Sequence, residues 1–236
     1  MPPVQSAWGE TSERSRRVRD RTYGAECPEL RFGNARRQHR VIWGARRASK
    51  LGLEVRLAGS STDLRQWYDL YLETMRKVAV PPRPYRLFAE LWQECARGDH
   101  VKLFLAEQQE GARCRIIAGS MLLVFGQTAF WAFTGCAEEN LQLHPHDLLQ
   151  LAAIRYAYNN GFRWYDLGEV PGGHASLAQF KSKWGTSPKI LYRYYFPAQA
   201  AAREDYSGLV PGVRILWRAL PKKATAILGD LVYQFL

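Results

Sequence analysis

What the chain lacks excludes several classes of protein at once. Its four cysteines, Cys27, Cys95, Cys114 and Cys136, form no Cys-x-x-Cys pair. No His/Cys cluster has zinc spacing, so no metal site is expected. The cysteines read as reduced thiols of a cytoplasmic protein rather than as a disulfide framework. No apolar run approaches the ~18 residues of a spanning helix. The N-terminal stretch has no apolar segment of the kind a secretory signal needs. A Gly-x-Ser-x-Gly elbow and a Cys/His pairing are both missing, which removes the usual covalent nucleophiles. No solenoid-type repeat is present.

What is there suits a folded, basic protein. Of 236 residues, 47% are hydrophobic and 13% aromatic, ample for a buried core. The formal net charge is +11, a bias toward anionic partners such as nucleic acid, nucleotide phosphates or a membrane surface. The charge is uneven. Residues 1–60 hold 13 Lys/Arg against 6 acids, residues 61–170 hold 11 against 13, and residues 171–236 hold 9 against 3. A basic functional surface would therefore combine the two ends.

Residues 1–30 show no apolar period and read as a disordered or weakly ordered basic segment. A very basic helix is expected from Asn34 to Leu51, with Gly52 as its cap and a strand over Leu53–Leu57. Ser60-Ser61-Thr62-Asp63 opens a helix that the prolines after Val80 end. A second helix is expected over Tyr85–Arg97. Strands follow at Val101–Glu107, Cys114–Phe125 and Thr128–Cys136, with Gly126-Gln127 as a hairpin turn. Pro145 starts a helix that stops at Asn159-Asn160-Gly161. A strand over Phe162–Leu167, a short helix over Ala175–Trp184 and an aromatic strand over Ile190–Phe196 complete a domain placed at 31–200. Residues 201–236 read as an amphipathic helical tail split by Pro221. This order fits an α/β (α+β) fold with a mixed, twisted sheet flanked by helices.

Two stretches are more specific. Trp164-Tyr165-Asp166-Leu167-Gly168 closes a strand on an acid and a glycine, and Phe180-Lys181-Ser182-Lys183-Trp184-Gly185 follows about a dozen residues later. Together they resemble the "YDFG … FKxKWG" signature of the Fem-type (FemAB-like) and BioF2-like branch of the GNAT superfamily, in its C-terminal half. The likeness spans roughly residues 34–196. It implies a GNAT-like, largely antiparallel sheet and acyl transfer to an amine, in peptidoglycan-type members to a lysine-bearing cell-wall precursor. The donor would be an aminoacyl-tRNA or an acyl-CoA, with no tightly bound cofactor.

The chain departs from the wider superfamily in one place. Most GNAT enzymes carry a glycine-containing loop whose N–H groups cradle the coenzyme A pyrophosphate. The corresponding stretch here, Glu139 to His146, has no glycine, and Pro145 has no N–H. Fem-type members share this absence, which favours the tRNA donor. Fem enzymes also carry two tandem halves, and this length holds one.

Aminolysis asks for alignment and oxyanion stabilisation more than for covalent chemistry. Following the resemblance, Lys181 is the catalytic candidate, and Lys183 two residues on would face elsewhere. Asp166 could position an amine, act as a base, or cap a turn; Glu169 is a second candidate for the same task. Phe180 and Trp184 either stack on substrate or pack in the core. His174 is the candidate histidine base. Arg36, Arg37, Arg40, Arg46 and Arg47 either grip tRNA phosphates or form a solvated basic face. The tail with Lys222 and Lys223 either packs on the domain or rests on an anionic membrane. The rival to an enzyme is a non-catalytic basic half-domain that binds RNA or a partner protein.

Overall fold

The protein is described by a computed structural model, over residues 35–95, 98–111, 113–170, 174–192, 196 and 211–233. The segment 1–30 and the residues 201–210 of the tail lie outside this range.

Chain order begins with α1 (Ala35–Lys50), β1 (Leu53–Leu57), α2 (Ser61–Val78) and α3 (Tyr85–Glu90). Next come β2 (Val101–Glu110), β3 (Arg113–Phe125), β4 (Thr128–Cys136), α4 (Pro145–Asn159) and β5 (Trp164–Asp166). The helices α5 (Ala175–Ser182), α6 (Pro211–Ala219) and α7 (Lys222–Val232) follow. The five strands form one sheet in the order β1-β2-β3-β4-β5. The first three pairings are antiparallel, and only β4–β5 is parallel.

Local chemistry explains most boundaries. The Ser60 hydroxyl accepts from the Asp63 N–H at 3.1 Å and caps α2. That helix ends on Ala79 in the left-handed region (φ 56°), before the prolines are reached. Gly52 (φ 80°) takes the turn between α1 and β1. Arg56 on β1 ties three elements together. Its guanidinium donates to both carboxylate oxygens of Asp63 at 2.8 and 2.9 Å and to Glu107 on β2 at 2.9 Å. The Arg56 hydrogen bonds, opposed by burial, hold the Asp63 carboxyl below its ordinary range.

The sheet separates two cores. On one face α1 and α4 bring Ala45, Ala48, Leu149 and Tyr156 against Phe104 and Leu122. On the other, α2 and α3 bring Trp67, Tyr71 and Phe88 against Leu103, Leu105 and Met121. Phe88 meets Trp67, Tyr71 and Phe133 edge-on at 5.0–5.1 Å.

One bulge matters for the site. Met121 pairs with Phe133, but Leu122 pairs with Trp131, so Ala132 is extra in β4. Residues two apart share a face in a regular strand. With the bulge, Trp131 packs on the α4 side and Phe133 on the α2 side.

Three sequence expectations are corrected. The helix expected over Tyr85–Arg97 changes at Leu91 to a π-type turn ending at Cys95, and 96–97 lie outside the described residues. The strand expected over Phe162–Leu167 is reduced to three residues. No strand forms at Ile190–Tyr192, which are exposed, as is Phe196. Their aromatic and branched side chains suit a pleated, half-buried surface, and the sheet offers them none. Just before them, Lys189 lies over the Trp164 ring of β5 at 5.3 Å.

Gly135 lies against the backbone of α2, where an added Cβ would meet the Tyr71 nitrogen at 2.5 Å. Gly135→Ala is expected to cost about 1–3 kcal/mol, read by urea denaturation, because backbone cannot yield as a side chain can. The depressed Asp63 carboxyl adds stability that is complete above its ordinary value of 3.8 and is lost as pH falls below it. Asp63→Asn is therefore expected to lower Tm at neutral pH and to flatten the acid limb of a Tm-against-pH curve.

Candidate functional site

The sheet opens at one place. Strand β4 pairs with β5 only from Thr128↔Trp164 to Phe130↔Asp166. Beyond Phe130, β4 continues to Cys136 while β5 has ended, so among the described residues no strand pairs with that side of Trp131–Gly135. Unpaired strand edge is a row of backbone donors and acceptors. The loop after β5 touches Phe130 at the start of that edge, and it is tied to α5, which is tied to the first turn of α4.

The loop is held from α5. The Lys181 ammonium donates to the Gly168 carbonyl at 2.9 Å and to the Glu169 carbonyl at 2.8 Å. An ammonium has three N–H groups, and these bonds use two. Burial, opposed by Asp166 and Glu169, pushes the Lys181 pKa down. Gly168 is left-handed (φ 74°), and a Cβ there would meet the Phe130 ring at 3.2 Å. The Asp166 Oδ1 accepts from the Gly168 N–H at 2.7 Å, a turn-closing contact on an exposed residue.

Lys183 turns the other way. It donates to Asp147 in the first turn of α4 and stands 4.5 Å from the Phe180 ring and 5.6 Å from that of Trp184. Trp184 is past the end of α5 and buried, whereas Phe180 is half-buried on the same core. Gly44 gives Asp147 its room. An added Cβ there would lie 2.1 Å from the Asp147 Oδ2. Lys183 and Asp147 thus join the end of α5, α4 and α1.

The N-terminus of α4 is unlike a phosphate cradle. Its cap is His144 in the left-handed region, with no side-chain capping bond, and Pro145 follows. The N–H groups of Asp147 and Leu148 turn back to the His144 carbonyl at 3.2 and 3.4 Å. Asp147 adds a carboxylate to the first turn, where the helix dipole already favours negative charge.

The remaining candidates are placed as follows. Glu169 is exposed and gives Lys181 its carbonyl oxygen. His174 is exposed at the cap of α5 and makes no side-chain capping bond. Arg46 and Arg47 are exposed on α1, with Arg47 over the Trp43 ring at 5.4 Å. Arg36, Arg37 and Arg40 stand on the same helix, and their side chains lie outside the described ones. Among the described residues, no group of three His, Cys, Asp or Glu could hold a metal ion.

Sequence reading missed Asp147, Gly44 and His146. An acid in a helix's first turn is ordinary dipole chemistry, so Asp147 carried no signal beyond α4 itself. His146 lies beside Asp147 and Lys183. Burial pushes its pKa down, Lys183 adds to that, and Asp147 opposes it. This favours the neutral form of its imidazole.

Comparison with known proteins gives three findings. Residues 35–182 match the model for acetyltransferase (GNAT) domains. A UDP-N-acetylmuramoylpentapeptide-lysine N(6)-alanyltransferase from Weissella viridescens is 24% identical over 119 residues, 50% of this chain and 34% of its own length. The crystal structure of FemX superposes with a TM-score of 0.57 at 16% identity, covering 63% of this chain and 54% of that one. The chain thus spans about a third of the curated relative and about half of the solved one.

Two experiments test the lysines separately. Lys181→Met is expected to speed amide exchange at Gly168 and Glu169 in hydrogen-exchange mass spectrometry, because the loop loses both charged bonds. A double-mutant cycle of Asp147→Ala and Lys183→Ala is expected to show a coupling of about 0.5–3 kcal/mol in chemical denaturation, the range for residues in direct contact.

Proposed function

Because the chain belongs to the family of acetyltransferase (GNAT) domains, we propose that it is an N-acyltransferase of the Fem-like branch. It transfers an aminoacyl or acyl group to an amine acceptor in peptidoglycan-related biosynthesis. The observation that carries this reading is the open edge of β4 beside a loop clamped by Lys181. The alanyltransferase similarity supports an aminoacyl donor and a lysine-type amine acceptor.

In the proposed reaction the neutral acceptor amine attacks the carbonyl carbon of the donor ester. A C–N bond forms and the C–O bond to the carrier breaks. The proton lost by the amine ends on the departing carrier oxygen. The β4 edge offers N–H groups to substrate carbonyls, and the remaining N–H of Lys181 supports the developing oxyanion. The free oxygen of Asp166 accepts a hydrogen bond from the neutral amine and orients it. Lys183 is committed to Asp147, which makes it a brace for the site.

The donor is proposed to be aminoacyl-tRNA. Supporting this, the start of α4 has no N–H at Pro145, turns the Asp147 N–H back to the His144 carbonyl, and carries a carboxylate at Asp147. That arrangement does not suit a coenzyme A pyrophosphate. Arg46 and Arg47 on the outer face of α1 suit tRNA phosphates.

The test is a transfer assay with charged tRNA and with acyl-CoA, against lysine-bearing acceptors. Transfer from charged tRNA is expected, with binding that weakens steeply as salt rises. Lys181→Ala should lower turnover by roughly 10²-fold or more, the usual scale for a lost oxyanion donor. Salt-sensitive tRNA binding with no turnover from any donor would leave a non-catalytic RNA-binding half-domain instead.

A further inference from the structure

Three strands carry one row of side chains across the start of β5. Phe125 pairs with Thr128, and Thr128 pairs with Trp164. Paired residues point to one face of a sheet, so the two rings and the threonine share it. Alternation says which face. Leu123 packs on the α2 side, so Phe125, two residues on, faces that side. Tyr165 packs on the α4 side, so its neighbour Trp164 faces the other way. Two strand spacings, about 9.5 Å, separate the Cα atoms of the two ring-bearing residues.

Neither ring serves a core. Phe125 is 85% exposed and Trp164 54%, and both stand outside the two buried clusters. The backbone beneath them is fixed. The Gln127 carbonyl of the hairpin accepts from the Arg163 and Trp164 N–H groups at 2.9 and 3.0 Å. Two large rings held outward on a rigid sheet make a stacking surface.

Charge narrows the occupant. Arg163 and Lys189 are exposed and stand 5.4 and 5.3 Å from the centre of the Trp164 ring. Among the described residues neither is paired with an acid, whereas Lys183 is held by Asp147. The acid of this face, Asp166, lies two residues along β5 at the opening and closes the turn to Gly168. Aromatic faces beside uncommitted cations suit flat bases joined by phosphates. Two rings so far apart serve more than one base, which fits a strand better than a mononucleotide. A duplex hides its base faces, so the strand is a single one. We propose that Phe125, Trp164, Arg163 and Lys189 form a platform for single-stranded RNA, with bases on the rings and phosphates on the cations. Trp164 is two residues from Asp166, so the platform borders the opening. The identity of the strand, an unpaired segment of the donor RNA, rests on the aminoacyl-tRNA reading above.

The test is fluorescence anisotropy of the full chain with a labelled single-stranded oligoribonucleotide and with the same sequence as a duplex. Tighter binding of the single strand is expected. Trp164→Ala and Phe125→Ala should each weaken it by about fivefold or more, the scale of one lost base stack, while Trp164→Phe keeps most of it. Arg163→Gln and Lys189→Gln should each lower the slope of log affinity against log salt by about 0.7. All four side chains are exposed, so Tm should not move. Absence of single-strand binding would overturn the proposal, as would equal binding of the duplex or unchanged binding by both ring variants. Uridine monophosphate bound as tightly as the oligonucleotide, with Phe125→Ala silent, would also overturn it and leave a site for one nucleotide. Ring-dependent binding with no transfer from charged tRNA would keep the platform and overturn the donor reading. Transfer from charged tRNA with a KM that neither ring variant changes would do the reverse.

Discussion

Strand β4 has neighbours on both sides for three residues and on one side for the rest of its length. Every other feature of the site follows from that unequal pairing. Where β5 stops, main-chain donors and acceptors face a gap that no other described strand fills. Both strands change course there. In β4 the Ala132 bulge sends Trp131 and Phe133 to opposite cores. After β5 the chain enters the loop anchored through Lys181. The opening thus begins where β5 ends in a clamped loop.

The two lysines of the Phe180–Gly185 stretch divide the work of holding that geometry. Lys181 reaches back to the strand end, and Lys183 reaches forward to the first turn of α4. Because they are two residues apart at the end of one short helix, they act in different directions from a common base. The aromatic rings between them, Phe180 and Trp184, root that base in the core on the α4 side of the sheet. A motif of alternating lysines and aromatics therefore reads as a bracket between two elements distant in sequence. The positive charge it carries is mostly satisfied inside the protein.

Much of the fold was legible because its signals are local. The Ser60–Asp63 cap, Pro145 at a helix start and the meander of alternating residues from Val101 to Cys136 each act within a few residues. At Ile190–Tyr192 the expected strand misled, since strand propensity describes a surface that the sheet had to supply. The site was legible only in part. Lys181, singled out by the family resemblance, lies with Asp166 and Glu169 at the end of β5. Asp147 and Gly44 could not be found, because they meet only when α1 crosses α4. A glycine inside a helix gives no hint in sequence of which side chain needs its empty space. The tail misled in a subtler way. Its apolar stripe is present, but the helices dock through small residues and a tryptophan instead.

The Lys181 clamp grips carbonyl oxygens, and every amino acid has one. Its two hydrogen bonds at positions 168 and 169 therefore ask only for main chain. Its charge asks for more, because the Glu169 carboxylate, with Asp166, supports the ammonium against burial. Gly168 is confined by its left-handed backbone and by the Phe130 ring. The rim of the opening thus sets a geometric hinge and an electrostatic support at adjacent positions of one loop.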